Sequence, residues 1–151
     1  MFEFAGFRNG GTDKLTVEQR YAGLSGYAIY VGQALKLSGG YLCGAEVTAD
    51  LIYAISDTSA ASSVVTASYY PRVFPVNSNQ IWKSSAISAI TAGVGVLGTG
   101  IGVSTACATG WCGDTLGTAG FVYQLATGGT PASGGSPASA IWGVFQSLAI
   151  K

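Results

Sequence analysis

A chain with no histidine lacks the commonest general base and the commonest metal ligand together. Any chemistry must then fall to carboxylates, thiols and hydroxyls. Glu46 and Asp50 are the carboxylate pair to consider for glycosidase-like acid–base work. They stand four apart in a stretch that reads as a turn, where two solvated acids are the simpler reading. Cys107 and Cys112 are five apart, but no second Cys pair and no His completes four metal ligands. With Cys43 they make an odd count, which argues against a disulfide framework. The thiols read as small buried hydrophobes. Serines are abundant, yet no Ser-x-x-Lys and no G-x-S-x-G elbow occurs. Tyr69, Tyr70, Trp82, Trp111 and Trp142 have the ring faces to stack on a sugar, but aromatics at strand positions read first as core. No constellation reads as catalytic.

What dominates the chain instead is Ser84 to Gly113, thirty residues with seven glycines and no Asp, Glu, Lys or Arg. Asp114 is the only charge between Ser84 and Ile150. Soluble domains normally coat themselves in hydrated charge, which keeps monomers apart. This half of the molecule reads as surface built to meet protein. A membrane span is excluded by the interrupting Ser84, Ser85, Ser88, Thr91, Thr99 and Ser104 and by the close glycines. Gly93 to Gly98 matches G-x-G-x-x-G formally. Gly100 and Gly102 then spoil the helix that a dinucleotide fingerprint needs, and no acid follows at the right distance. Glycines also act against an amyloid-like strand. Two short strands joined by a turn near Gly98 remain.

The elements that would carry this surface follow from composition. Charged residues are 9% of the chain, against roughly 25% in an ordinary soluble domain. The 23 glycines favour turns and short strands. Seven acids balance seven bases, so no field attracts nucleic acid or an anionic bilayer. The start, MFEFAGFRNGG, has Glu3 and no apolar run of signal-peptide length, so synthesis in a reducing cytoplasm is expected.

Met1 to Gly26 holds six of the fourteen charges and the phenylalanines Phe2, Phe4 and Phe7 before the break Asn9-Gly10-Gly11. Two readings stand. One is an N-terminal arm (1–26) that docks Phe2, Phe4 and Phe7 on a partner with Arg8 at the rim; the other is a first strand of the domain itself. Thr12 to Tyr21 is the one place for a short helix. From Tyr27 the pattern is consecutive short strands. Tyr27 to Leu37 closes at Ser38-Gly39-Gly40 and returns through Tyr41-Leu42-Cys43. Leu51 to Ile55 puts Leu51, Tyr53 and Ile55 on one face, and Val64 to Tyr70 reads as extended. Pro71 and Pro75 mark an edge strand or bend. Gln80 to Lys83, Phe121 to Leu125 and Ile141 to Ile150 complete the set, the last apolar on both faces, with a low-complexity loop at Thr127 to Ala140. Eight to ten strands and no long helix predict an all-β fold, a small β-barrel or sandwich over 27–151.

Three runs carry a resemblance: Ala28 to Gly40, Ile52 to Ser56, and Val73-Phe74-Pro75-Val76-Asn77-Ser78-Asn79-Gln80-Ile81-Trp82. This hairpin, extended strand and proline-containing turn resembles the small capsid decoration (cement) proteins of tailed bacteriophages. The resemblance implies a compact barrel or tulip- or jelly-roll-like fold that trimerises and clamps major capsid subunits on the outside of the head. It implies no catalysis, cofactor, metal, nucleic acid or membrane. The Phe-rich start and the Thr127 to Ala140 loop depart from the pattern. On this reading Phe2, Phe4, Phe7 and Arg8 are the capsid-contact candidates, and Val94, Val96, Ile101 and Trp142 the self-contact candidates. The rivals are a carbohydrate-binding module on a virion or cell surface and an enzyme of unfamiliar type.

The self-contact reading makes a direct prediction. Val96→Asp buries an unpartnered carboxylate at the trimer axis, so light scattering should show a smaller particle than wild type. Equal masses, both monomeric and folded, would refute the assignment.

Overall fold

The computed structural model describes residues 1–8, 15–45, 50–84, 100–107, 110–116, 122–128, 140–145 and 148–149. Among the described residues ten strands run in chain order: β1 (Phe2–Phe7), β2 (Ala34–Ser38), β3 (Tyr41–Gly44), β4 (Ile52–Ser56), β5 (Val73–Pro75), β6 (Gln80–Ser84), β7 (Gly100–Cys107), β8 (Gly110–Leu116), β9 (Val122–Gly128) and β10 (Ala140–Phe145). No helix occurs among the described residues, and the part of Thr12 to Tyr21 that is described carries a single bridge at Glu18. The strands form two antiparallel sheets: six strands in the order β1-β6-β10-β9-β7-β8, and four in the order β3-β2-β4-β5. The fold is all-β and sandwich-like, and neither sheet closes into a barrel.

Local chemistry explains several boundaries. β2 and β3 meet across Gly39 and Gly40, at φ 56° and 86°, the left-handed pair that a two-residue hairpin with right-twisted strands requires. β5 ends at Pro75 on the edge of its sheet, where a missing N–H breaks no ladder. Asn77 Oδ1 accepts from the Asn79 N–H at 2.9 Å and turns the chain into β6.

β4 is buried along its whole length, because it lies between two cores. Opposite Leu35 and Lys36 of β2 it carries one extra residue, so Lys36 pairs with Ile52 while Leu35 pairs with Ala54. This bulge breaks strict alternation. Ile52 and Ile55 join one core with Phe2, Ala34, Val76, Trp82, Phe145 and Leu148 between the sheets. Tyr53 and Ala54 join the other, with Ile29, Leu35, Leu42, Val65 and Val73, on the far side of the four-stranded sheet. The expectation that Leu51, Tyr53 and Ile55 share a face is therefore corrected: Leu51 is exposed and the other two are split.

The N-terminal segment is a strand, which corrects the arm reading. β1 pairs with β6 from Phe2↔Ser84 to Phe7↔Gln80, with a bulge between Phe4 and Gly6. The Phe2 ring is buried 5.1 Å from that of Phe145, and its N–H donates to Gly32 O at 2.8 Å. At Gly32 (φ 74°) an added Cβ would lie 2.8 Å from the Met1 side chain and 2.9 Å from Phe2 O, so only glycine lets β1 dock there.

Segment 15–24 caps both edges of the four-stranded sheet. Leu15 packs on the inter-sheet core. Glu18 exchanges two backbone hydrogen bonds with Val73 on β5, and Ala22 to Leu24 pair with Leu42 on β3. Other expectations are corrected by local pairing. Residues 27–33 are turns and a bridge at Ile29, with the strand starting at Ala34, and Val64 to Tyr70 is turns rather than extended chain. β7 and β8 meet across residues 108–109, whereas the expected turn near Gly98 lies outside the described residues. So does the loop at 129–139.

Because Phe2 fills the inter-sheet core, Phe2→Ala should cost about 3–5 kcal/mol. Denaturant unfolding would read this as a lower midpoint at unchanged slope. An unchanged midpoint would show that β1 adds nothing to the fold.

Candidate functional site

The groups with chemical potential are mostly committed to structure. Lys36 Nζ donates to both oxygens of Asp50 at 2.9 Å in a part-buried pair, and Glu46 lies outside the described residues. Cys43 is buried, while Cys107 and Cys112 lie on β7 and β8, facing Gly110 and Ser104 in register. Among the described residues no group of three His, Cys, Asp or Glu forms a metal cluster. Trp82 is buried in the inter-sheet core, with Phe4 5.6 Å away edge-on, so it offers no platform to a ligand. Tyr69 packs on the second core, and Trp111 lies on β8.

Among the described residues, Tyr53 is a strongly perturbed side chain. Its hydroxyl donates to Glu18 Oε1, and the Tyr21 ring stands edge-on 5.2 Å away. Burial first, and then the hydrogen bond to Glu18, push the phenol well above its ordinary range. A tyrosine this hard to ionise and this enclosed serves as a staple between segment 15–24 and β4.

Among the described residues, several exposed large apolar side chains gather outside the four-stranded sheet. There the chain from Gly23 to Val31 runs antiparallel to the chain from Tyr69 back to Ser59. Gly23 N–H donates to Tyr69 O, Gly26 N–H to Val65 O, Ile29 exchanges two bonds with Ala60, and Val31 N–H donates to Ser59 Oγ. The ribbon is amphipathic. Ala22, Gly23, Ile29 and Val65 face inward, and a Cβ at Gly23 would stand 2.5 Å from Val65 Cγ1. Outward it shows Tyr27, Tyr30, Val31, Val64 and Tyr70, each roughly half exposed, at 45 to 56%. Residues 21–35 and 58–71 hold no charge, and Arg20, Lys36 and the Asp57–Arg72 pair (2.8 Å) stand only at their ends. Tyrosine, serine and small residues in loops on a rigid sheet make a contact surface of low ordering cost.

The sequence pointed to a neutral surface in Ser84 to Gly113, of which residues 85–99 and 108–109 lie outside the described residues, and did not point to this one. The signal was present as two shorter charge-free runs, but nothing in sequence announces that they pair. Of the expected contacts, Phe2 is withdrawn, since it is core. Phe4 is exposed, Phe7 is half-buried with its ring 5.0 Å from that of Phe4, and Arg8 is exposed, its N–H bonded to Asn79 O. Val94 and Val96 lie outside the described residues. Ile101 pairs with Leu116 on one side and Val122 on the other, inside the sheet rather than at its edge. Trp142 is half-buried on β10. Comparison with protein-family models, curated proteins and solved structures finds no match.

The Tyr53 staple has a pH signature. The unfolded phenol titrates near 10.0 and the folded one higher, so its stabilisation is complete below pH 10 and is lost as pH rises toward the folded pKa. Wild type should lose stability above about pH 10 more steeply than Tyr53→Phe. Parallel slopes in denaturant midpoint against pH would sink this account.

Proposed function

We propose that the protein is a virion structural protein, a decoration or cement protein that binds the outside of an assembled head and clamps neighbouring major capsid subunits. The observation that carries the reading is the charge-free ribbon at 23–31 and 59–70, with five large apolar side chains outward on a rigid sheet. From typical aromatic areas this surface amounts to roughly 400–600 Å². That is about half of what one partner contributes to a standard stable interface. Such a contact becomes effective when several copies act together on a repeating lattice, which is where a decoration protein binds. Of the three runs that carry the resemblance to that family, the first, Ala28 to Gly40, enters the ribbon at Ala28 to Val31.

On this reading the protein works as a homotrimer. The charge-free run from Ser84 to Gly113, with Val94, Val96 and Ile101, supplies the self-contact, and the ribbon outside the four-stranded sheet meets the shell. Phe4, Phe7 and Arg8 extend the shell contact from β1. Its place is the capsid exterior after synthesis in the host cytoplasm. It carries out no catalysis and takes no cofactor.

Tyr27→Glu and Val64→Glu place a charge on the ribbon at exposed positions, so melting should change little. Burying that charge against a shell is costly, and occupancy on heads incubated with the variants should fall at least about tenfold. Occupancy equal to wild type in both variants would remove the ribbon as the docking surface.

A further inference from the structure

The six strands of the larger sheet carry three charged residues, Glu3, Lys83 and Asp114, and two of these stand side by side. Glu3 on β1, Lys83 on β6 and Trp142 on β10 are direct register partners across three adjacent strands. They therefore share one face, opposite to the one from which Trp82 enters the core. Lys83 Nζ lies 3.9 Å from Glu3 Oε2 and 5.9 Å from the centre of the Trp142 ring. All three remain reachable from solvent, with the Glu3 side chain 58% and the Lys83 side chain 45% exposed and Trp142 half-buried. The next register partner, on β9, is Ala126, the smallest side chain with a Cβ.

Stability does not account for this row. An exposed ion pair at the outer limit of contact contributes little, and a cation at the far edge of ring range adds little more. What the row does provide is an aromatic plate flanked by one acceptor and one donor of fixed spacing, on strands rather than on loops. We propose that it is a saccharide platform. The indole face of Trp142 takes the C–H face of a pyranose ring. The Glu3 carboxylate accepts from a ring hydroxyl, and the Lys83 ammonium donates to a neighbouring oxygen. Glu3 and Lys83 cancel in charge, which selects neutral sugars over sialylated or sulfated ones. The site is independent of the ribbon and assigns Trp142 to a ligand rather than to the self-contact.

Tryptophan fluorescence titrations test it with a β-1,4-linked glucose hexamer, an α-1,4-linked glucose hexamer and a galactose disaccharide, with sialyllactose as the anionic control. A saturable change with at least one neutral probe and none with sialyllactose is expected. It should vanish in Trp142→Ala and weaken about tenfold in Glu3→Gln and in Lys83→Met, each of which removes a charged hydrogen-bonding partner. Light scattering and melting on the same samples separate lost binding from lost assembly. If Trp142→Ala fails to fold, the two exposed-site variants decide the matter by calorimetry. No saturable response to any neutral probe, or a response unaltered in the folded variants, overturns the proposal.

Discussion

One extra residue in β4 sets the layering of the molecule. Had β4 alternated strictly, Ile52 would face the same side as Ala54, and Tyr53 the same side as Ile55. One core would then receive Ile52 and Ala54, and the other two large residues, Tyr53 and Ile55. The bulge groups Ile52 with Ile55 and Tyr53 with Ala54 instead. The inter-sheet core gains two isoleucines to pack against Trp82 and Phe145. The other face gains a tyrosine whose hydroxyl reaches beyond the sheet to Glu18. That reach holds segment 15–24 down, and the ribbon carrying the exposed tyrosines packs beside it. A four-stranded sheet of strands only three to five residues long thus becomes the middle layer of three.

The two sheets treat their edges differently. Unpaired edges recruit other strands, and segment 15–24 covers both edges of the smaller sheet, at Val73 and at Leu42. Each edge of the smaller sheet is thereby occupied at one residue, which leaves less of it free for strand addition. In the larger sheet β1 and β8 are the terminal strands. β1 is interrupted by the bulge before Gly6, which shortens the length of regular edge it offers.

How much of this was legible depended on how local the cause was. The Gly39-Gly40 hairpin, the proline-marked edge at β5 and the turn at Asn77 are decided within a few residues, and each was readable. The apolar run of β10 was readable, and Gly143, Val144 and Phe145 are buried while Trp142 is half-buried. The split of β4 was not, because a bulge is specified by its partner strand, and LIYAI alone reads as alternation. Phe2 was ambiguous for a similar reason. Whether an aromatic at a chain start is anchor or core depends on Gly32 and Phe145, far away in sequence. The ribbon is the extreme case. It consists of isolated hydrogen bonds between residues about 28 to 46 apart, with no strand periodicity to reveal it.

Charge placement gives the exposed surfaces their character. Six of the fourteen charges are held in three local pairs, Lys36–Asp50, Arg72–Asp57 and Glu3–Lys83. A chain of zero net charge whose ions are cancelled nearby projects little field beyond a few ångströms. On the proposed function no long-range steering would speed encounter, and association would fall in the unsteered range of about 10⁵–10⁶ M⁻¹s⁻¹. Discrimination has to come from shape at contact, which demands a surface that does not rearrange. The buried Tyr53, the tight approach at Gly23 and the capped edges meet that demand beneath the ribbon. Tight packing and neutrality are in this sense linked under the proposed function: a surface without charge to guide a partner would depend on its form to be recognised.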